Sequence, residues 1–213
     1  MNGPLQPPAD ARQAERSAMA GIQAVVIGAS AGGVRALAEL LPAFSDRTAA
    51  AIFVVLHLPR DRPSLLTEVF SPKCALEVRE AQDKEPVAPG TVYFAPSNYH
   101  LLVDEGPQLA LSADDLVHHS RPSIDVLFES AAEVYGQRLL GVILTGANED
   151  GAEGLAAVHD AGGITVVQEP ETAQVPTMVL SAMELRAPDF VLPLERIADL
   201  FRTVGIASSL RTG

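Results

Sequence analysis

Tryptophan is absent from this 213-residue chain, and aromatic residues make up only 5% of it. A core must therefore be filled by aliphatic side chains and alanine. There are enough of these: hydrophobic residues account for 47%, which excludes a chain disordered throughout. Cysteine occurs once, at Cys74. No intrachain disulfide can form, which suits a reducing compartment. Cys74 reads as an ordinary half-buried residue, since no base is suggested beside it. Positive charge is also scarce: 15 Lys and Arg stand against 27 Asp and Glu, a formal net charge of -12. So acidic a surface disfavours nucleic acid and anionic membranes as partners. No apolar run approaches the ~20 residues that span a bilayer. Residues 1–21 hold Pro4, Pro7, Pro8, Asp10, Arg12, Glu15 and Arg16 and lack the apolar core of a signal peptide. They read as a flexible N-terminal tail before one domain over residues 22–213, in a cytoplasmic protein.

What is present is alternation. Apolar runs at 49–56, 139–144 and 164–168 read as strands buried on both faces. Shorter strand patterns lie at 78–81, 91–95 and 189–192. Helical periodicity covers 34–41, 63–70, 122–135, 152–161, 177–185 and 195–204. The turn Asp104-Glu105-Gly106-Pro107 sits between two short strand patterns and signals a hairpin. The fold class is therefore α/β: a doubly wound, mostly parallel sheet flanked by helices, with an antiparallel hairpin towards one edge.

The first unit is Val25-Val26-Ile27-Gly28-Ala29-Ser30-Ala31-Gly32-Gly33, a strand running into a small-residue turn and then a helix. The turn has three readings. Its glycines could only save space. It could bind a dinucleotide, although Ser30 replaces the glycine that would admit the pyrophosphate. It could also present a nucleophile, as in G-x-S-x-G turns. The rest of the chain bears on the choice. Sites in open α/β sheets lie beyond the carboxyl ends of the strands. Ser30 follows the first strand, His57 ends the second, and Asp150 follows a later one. A hydroxyl, an imidazole and a carboxylate are the parts of nucleophilic acyl transfer. The N–H of Ala31 would serve a developing oxyanion. The order Ser, His, Asp differs from that of the common α/β-hydrolases.

These residues lie in motifs that resemble the catalytic domain of bacterial chemotaxis receptor methylesterases, the CheB family. The motifs are Ile27 to Gly33, Leu56-His57-Leu58-Pro59, Tyr93-Phe94-Ala95-Pro96 with His100, Arg121 to Phe128, and Gly141 to Gly146 with Asp150-Gly151. The resemblance implies Ser30 as nucleophile, His57 as general base and Asp150 as its orienting acid. It implies hydrolysis of γ-glutamyl methyl esters on the methylated cytoplasmic region of chemoreceptors, and deamidation of certain glutamines. The alternative is a signalling module that binds receptor or partner proteins with weak or no esterase activity. Neither cofactor nor metal is called for. The family's Thr-Gly-Met-Gly reads Thr145-Gly146-Ala147-Asn148 here. A backbone donor at Ala147 survives the change, and Asn148 tolerates the positive φ that glycine would take. Family members carry a receiver domain ahead of this one. The residues before the first strand are too few for it, which leaves three expectations: constitutive activity, control by a separate protein in trans, or adaptation to another signalling system.

The other polar residues have plainer readings. His118 and His119 read as a solvated loop, since neighbouring residues do not share a face. His100 reads as structural, His159 as a surface residue, and Glu149 as solvent-facing. Asp125 reads as an early-turn acid that favours its helix dipole. Arg60, Arg62 and Arg121 are candidates for guiding an acidic substrate helix.

Overall fold

A computed structural model describes residues 18–58 and 64–206. The apolar runs form β1 (Ala24–Ala29), β2 (Ala51–Leu56) and β7 (Leu139–Ile143), and every residue in them is buried. Their lack of polar alternation has a simple cause: helices cover both faces of the sheet. The order is β3-β4-β2-β1-β7-β8-β9 in one sheet of seven strands, with β3 (Glu77–Glu80), β4 (Thr91–Phe94), β8 (Ile164–Gln168) and β9 (Phe190–Leu192) outside the central three. Every pairing in it is parallel. The edge strand β3 carries Glu77, Arg79 and Glu80, charges that discourage pairing with another chain.

One face of the sheet presents Val25, Ile27, Ile52 and Val54 to α1 (Gly33–Leu40), α2 (Leu66–Phe70) and α6 (Leu194–Phe201). Phe44 and Phe201 stack there with centroids 4.4 Å apart. The other face presents Val26, Phe53 and Val55 to α3 (Ile124–Tyr135), α4 (Ala152–Asp160) and α5 (Thr177–Leu185). This is the doubly wound class expected. The hairpin of β5 (His100–Asp104) and β6 (Gln108–Ser112) forms as read, but as a separate two-stranded sheet. Its Leu101, Val103 and Leu109 find apolar cover beside α3.

Two sequence boundaries move. Met19 is fully buried and its carbonyl accepts from the Gly205 N–H, so packing begins before residue 22. The predicted helix 63–70 is helical only over Leu66–Phe70, and Pro63 lies outside the described residues.

The strand order places the site. From β1 the chain passes to β2 on one side, whereas β7 lies on the other and leads on to β8. The order therefore reverses between β1 and β7. Loops diverge there and leave a crevice at the carboxyl ends. Ser30 and Thr145 line it, joined by a 3.0 Å bond from the Ser30 N–H to the Thr145 carbonyl.

Candidate active site

Asp150 is fully buried, and donors surround its carboxylate. Oδ2 lies 2.8 Å from His57 Nε2 and accepts the Ile124 N–H at 2.8 Å. Oδ1 accepts the Ser123 hydroxyl at 2.8 Å and the Asp125 N–H at 3.1 Å. The two backbone donors are free N–H groups at the start of α3, so the carboxylate caps that helix from a distant segment. Burial opposes ionisation of Asp150. The bonds from His57, Ile124 and Asp125 outweigh it and hold the carboxyl below the usual carboxylate range. A lasting negative charge is thus held against one nitrogen of His57.

Ser30 reaches the same place through the backbone. Strands β1 and β2 pair in parallel up to Ala29 and Leu56, so Ser30 and His57 are the next residues on adjacent strands. The His57 N–H donates to the Ala29 carbonyl at 3.0 Å. Neighbouring strands lie ~4.8 Å apart, within reach for two side chains leaving the same edge. Ser30 Oγ takes no hydrogen-bond partner among the described residues. With Nε2 turned to Asp150, Nδ1 is the His57 nitrogen left to serve it.

The turn is held open behind Ser30. Gly32 has φ +86°, and a Cβ there would lie 2.8 Å from Gln174 Cβ and 3.0 Å from Thr145 Cγ2. Thr145 ties the turn to its neighbours: its hydroxyl donates to the Ala31 carbonyl at 2.8 Å and accepts the Val175 N–H at 2.9 Å. Neither the Ala31 nor the Ala147 N–H is spent on a partner among the described residues, and both residues are exposed. A hollow of about 70 Å³ opens beside His57, walled by Leu58, His119, Ser120, Arg121 and Pro122. It suits the tip of one side chain. Cofactor pockets are several times larger.

Asp125 mirrors Asp150. It is 3% exposed, and its Oδ1 accepts the N–H groups of Gly151 at 2.9 Å and Gly154 at 2.7 Å. Thus Asp150, just before α4, caps α3, while Asp125, in the first turn of α3, caps α4. Burial pushes the Asp125 carboxyl up to about 7; the Gly154 N–H pulls the other way and the charge of Asp150 adds to the rise. The expected dipole role therefore belongs to a neighbouring helix as well as its own.

Several other readings change. Asn148 does not adopt a positive φ, so the left-handed conformation expected there does not form. His118 is only 29% exposed at its side chain and bonds Glu149, so the solvated-loop reading fails for it. Both His118 and His119 have positive φ in a turn closed by Val117 and Ser120. His100 is structural as read: its Nδ1 accepts the Ser123 N–H at 3.1 Å, and Nε2 meets the Asp115 carbonyl at 3.0 Å. Arg121 spends its guanidinium on Asn98 and on the carbonyls of Ala113 and Asp114, so it ties loops together. Arg60 and Arg62 lie outside the described residues. Cys74 is half-buried, and burial pushes its thiol up. Sequence reasoning gave Ser123 and Thr145 no role. A serine just before a helix is a capping signal, but this one bonds Asp150.

The fold and site define an α/β domain that presents a serine, an imidazole and a buried carboxylate at its topological switch point. Comparison with known proteins then places the chain. It belongs to the CheB methylesterase family, whose model matches residues 25–201. A Leptospira interrogans protein, provisionally called a protein-glutamate methylesterase/protein-glutamine glutaminase, is 45% identical over 179 residues, covering 84% of this chain and 93% of its own. The Symbiobacterium thermophilum enzyme of that name is 41% identical over 85% of this chain, which spans 50% of that relative. The crystal structure of the Thermotoga maritima CheB methylesterase catalytic domain superposes with a TM-score of 0.81 at 35% identity, covering 86% of this chain and 99% of that one. The family is one of hydrolases, and this chain is a hydrolase of that kind.

Proposed function

We propose that this protein is a serine esterase that removes methyl groups from glutamyl methyl esters of a protein substrate. The observation that carries the reading is the 2.8 Å contact between His57 and the buried Asp150, at the sheet edge where Ser30 leaves the neighbouring strand. In the first step Ser30 Oγ attacks the ester carbonyl and His57 Nδ1 takes its proton. The carbonyl oxygen becomes an oxyanion, which the N–H groups of Ala31 and Ala147 are free to receive. His57 returns the proton to the leaving methoxide, and methanol departs. Water then cleaves the acyl-enzyme by the same path in reverse and leaves glutamate. Asp150 holds the ring with Nδ1 towards Ser30 and supports its transient positive charge. A glutamine side chain presents the same acyl group with ammonia as the leaving group, in keeping with the double name of the relatives.

The substrate that fits the family is the methylated cytoplasmic region of chemoreceptors, and a cytoplasmic enzyme controlled in trans suits it. Among the described residues no helix is long and apolar enough to cross a membrane. The test is methanol release from a methylated receptor fragment. Ser30→Ala should lower kcat by more than ~10⁴-fold with unchanged far-UV circular dichroism. Asp150→Asn should cost ~10⁴-fold by favouring the wrong tautomer of His57. Full activity of Ser30→Ala would remove the nucleophile assignment. Binding of the fragment without turnover by the wild type would point to a signalling module instead.

A further inference from the structure

His118, Asp125 and Glu153 bring one ligand atom each to within 4.8 Å of one another. Asp125 is 3% exposed, yet its Oδ2 has no hydrogen-bond partner. A buried carboxylate oxygen left unpaired is costly, on the order of 1–3 kcal/mol or more. Its nearest polar neighbour is His118 Nε2, 3.4 Å away. The other ring nitrogen, Nδ1, lies 3.1 Å from Glu149 Oε1. An ionised carboxylate only accepts, so Nδ1–H donates to Glu149 and Nε2 is the ring atom turned towards Asp125. Nε2 and Oδ2 face each other across 3.4 Å without forming a hydrogen bond.

A shared proton would draw the two atoms to ~2.7–2.9 Å. Two zinc–ligand bonds of ~2.0–2.1 Å meeting at the tetrahedral angle instead set their ligand atoms ~3.3–3.4 Å apart. The observed gap has that length. We propose that His118 Nε2, Asp125 Oδ2 and the Glu153 carboxylate form a divalent-cation site, with water completing the shell. One imidazole and two carboxylates form a donor set suited to zinc. The contact from Glu149 to Nδ1 is the carboxylate–histidine arrangement that orients a metal-binding imidazole. A cleft of about 400 Å³ lined by His118, Glu149, Glu153 and Glu184 provides a negatively charged entry path. This proposal departs from the sequence expectation of no metal. It does not depend on the esterase reading, since none of its three ligands is Ser30, His57 or Asp150.

The test is zinc titration of the chelator-stripped full chain by calorimetry, with cobalt as an absorbing substitute. One equivalent of zinc should bind, and cobalt should show ligand-field bands of low-coordinate geometry. Both His118→Ala and Glu153→Gln should abolish saturable uptake. Glu149→Gln, at an exposed position, should weaken zinc binding by ~10–100-fold through the imidazole orientation alone. Absence of stoichiometric uptake by the wild type would overturn the site. So would uptake that persists in His118→Ala and Glu153→Gln but is lost in His57→Ala. Circular dichroism of each variant separates loss of the site from loss of the fold.

Discussion

At the scale of single residues, Asp150 joins stability to chemistry. The carboxylate that holds His57 also caps α3, so the same bonds that order the helix orient the imidazole. Ser30, His57 and Asp150 were legible in the sequence because each follows a recognisable strand. Ser123 and Thr145 were not, because their bonds join residues 27 and 114 positions apart. Tyr135 gives a test at this scale. It is 6% exposed, and burial pushes its hydroxyl up to about 12 against the opposing charge of Arg138. An unfolded tyrosine ionises near ~10, so between about pH 10 and about pH 12 the unfolded chain loses a proton that the folded protein keeps. Stability is unaffected below that window and falls as pH rises through it. Tyr135→Phe should spare on the order of 1–2 kcal/mol of the loss, read from urea midpoints at about pH 9 and about pH 11.5.

At the scale of elements, the α3–α4 crossing decides the geometry of the site. Each helix is capped by an aspartate from the other's segment, so neither can shift alone. Gly154 permits the approach: a Cβ there would lie 2.6 Å from Phe128 Cβ and 2.9 Å from Asp125 Cα. Since one of these atoms is backbone, it cannot yield as a side-chain tip would. Gly154→Ala should cost ~1–3 kcal/mol in urea unfolding and also lower methanol release, because separating the helices pulls Asp150 from the start of α3. An unchanged midpoint would show that the crossing yields. Periodicity marked both helices to within about two residues. It carried no sign of their contact, since a glycine inside a helical pattern reads only as a weak spot.

At the scale of the whole molecule, one sheet separates two apolar layers that share its strands. Damage to one face should therefore unfold the other. Phe201→Ala, which removes the stack on Phe44, should cost about 3–5 kcal/mol. Near-ultraviolet circular dichroism, dominated by Tyr93 and Tyr135 on the opposite face, should still change together with the far-ultraviolet signal. Separate transitions would mean that the layers melt independently. The sequence alone determined the α/β class and the sheet edge that carries Ser30, His57 and Asp150, because burial on both faces and the ends of apolar runs are local properties of the chain. Only the tertiary structure decided that the hairpin stands apart from the sheet, that Nε2 of His57 meets Asp150, and that His118 faces Asp125. Those outcomes depend on how separate helices and loops pack, and no local period encodes which distant donors will meet a buried carboxylate.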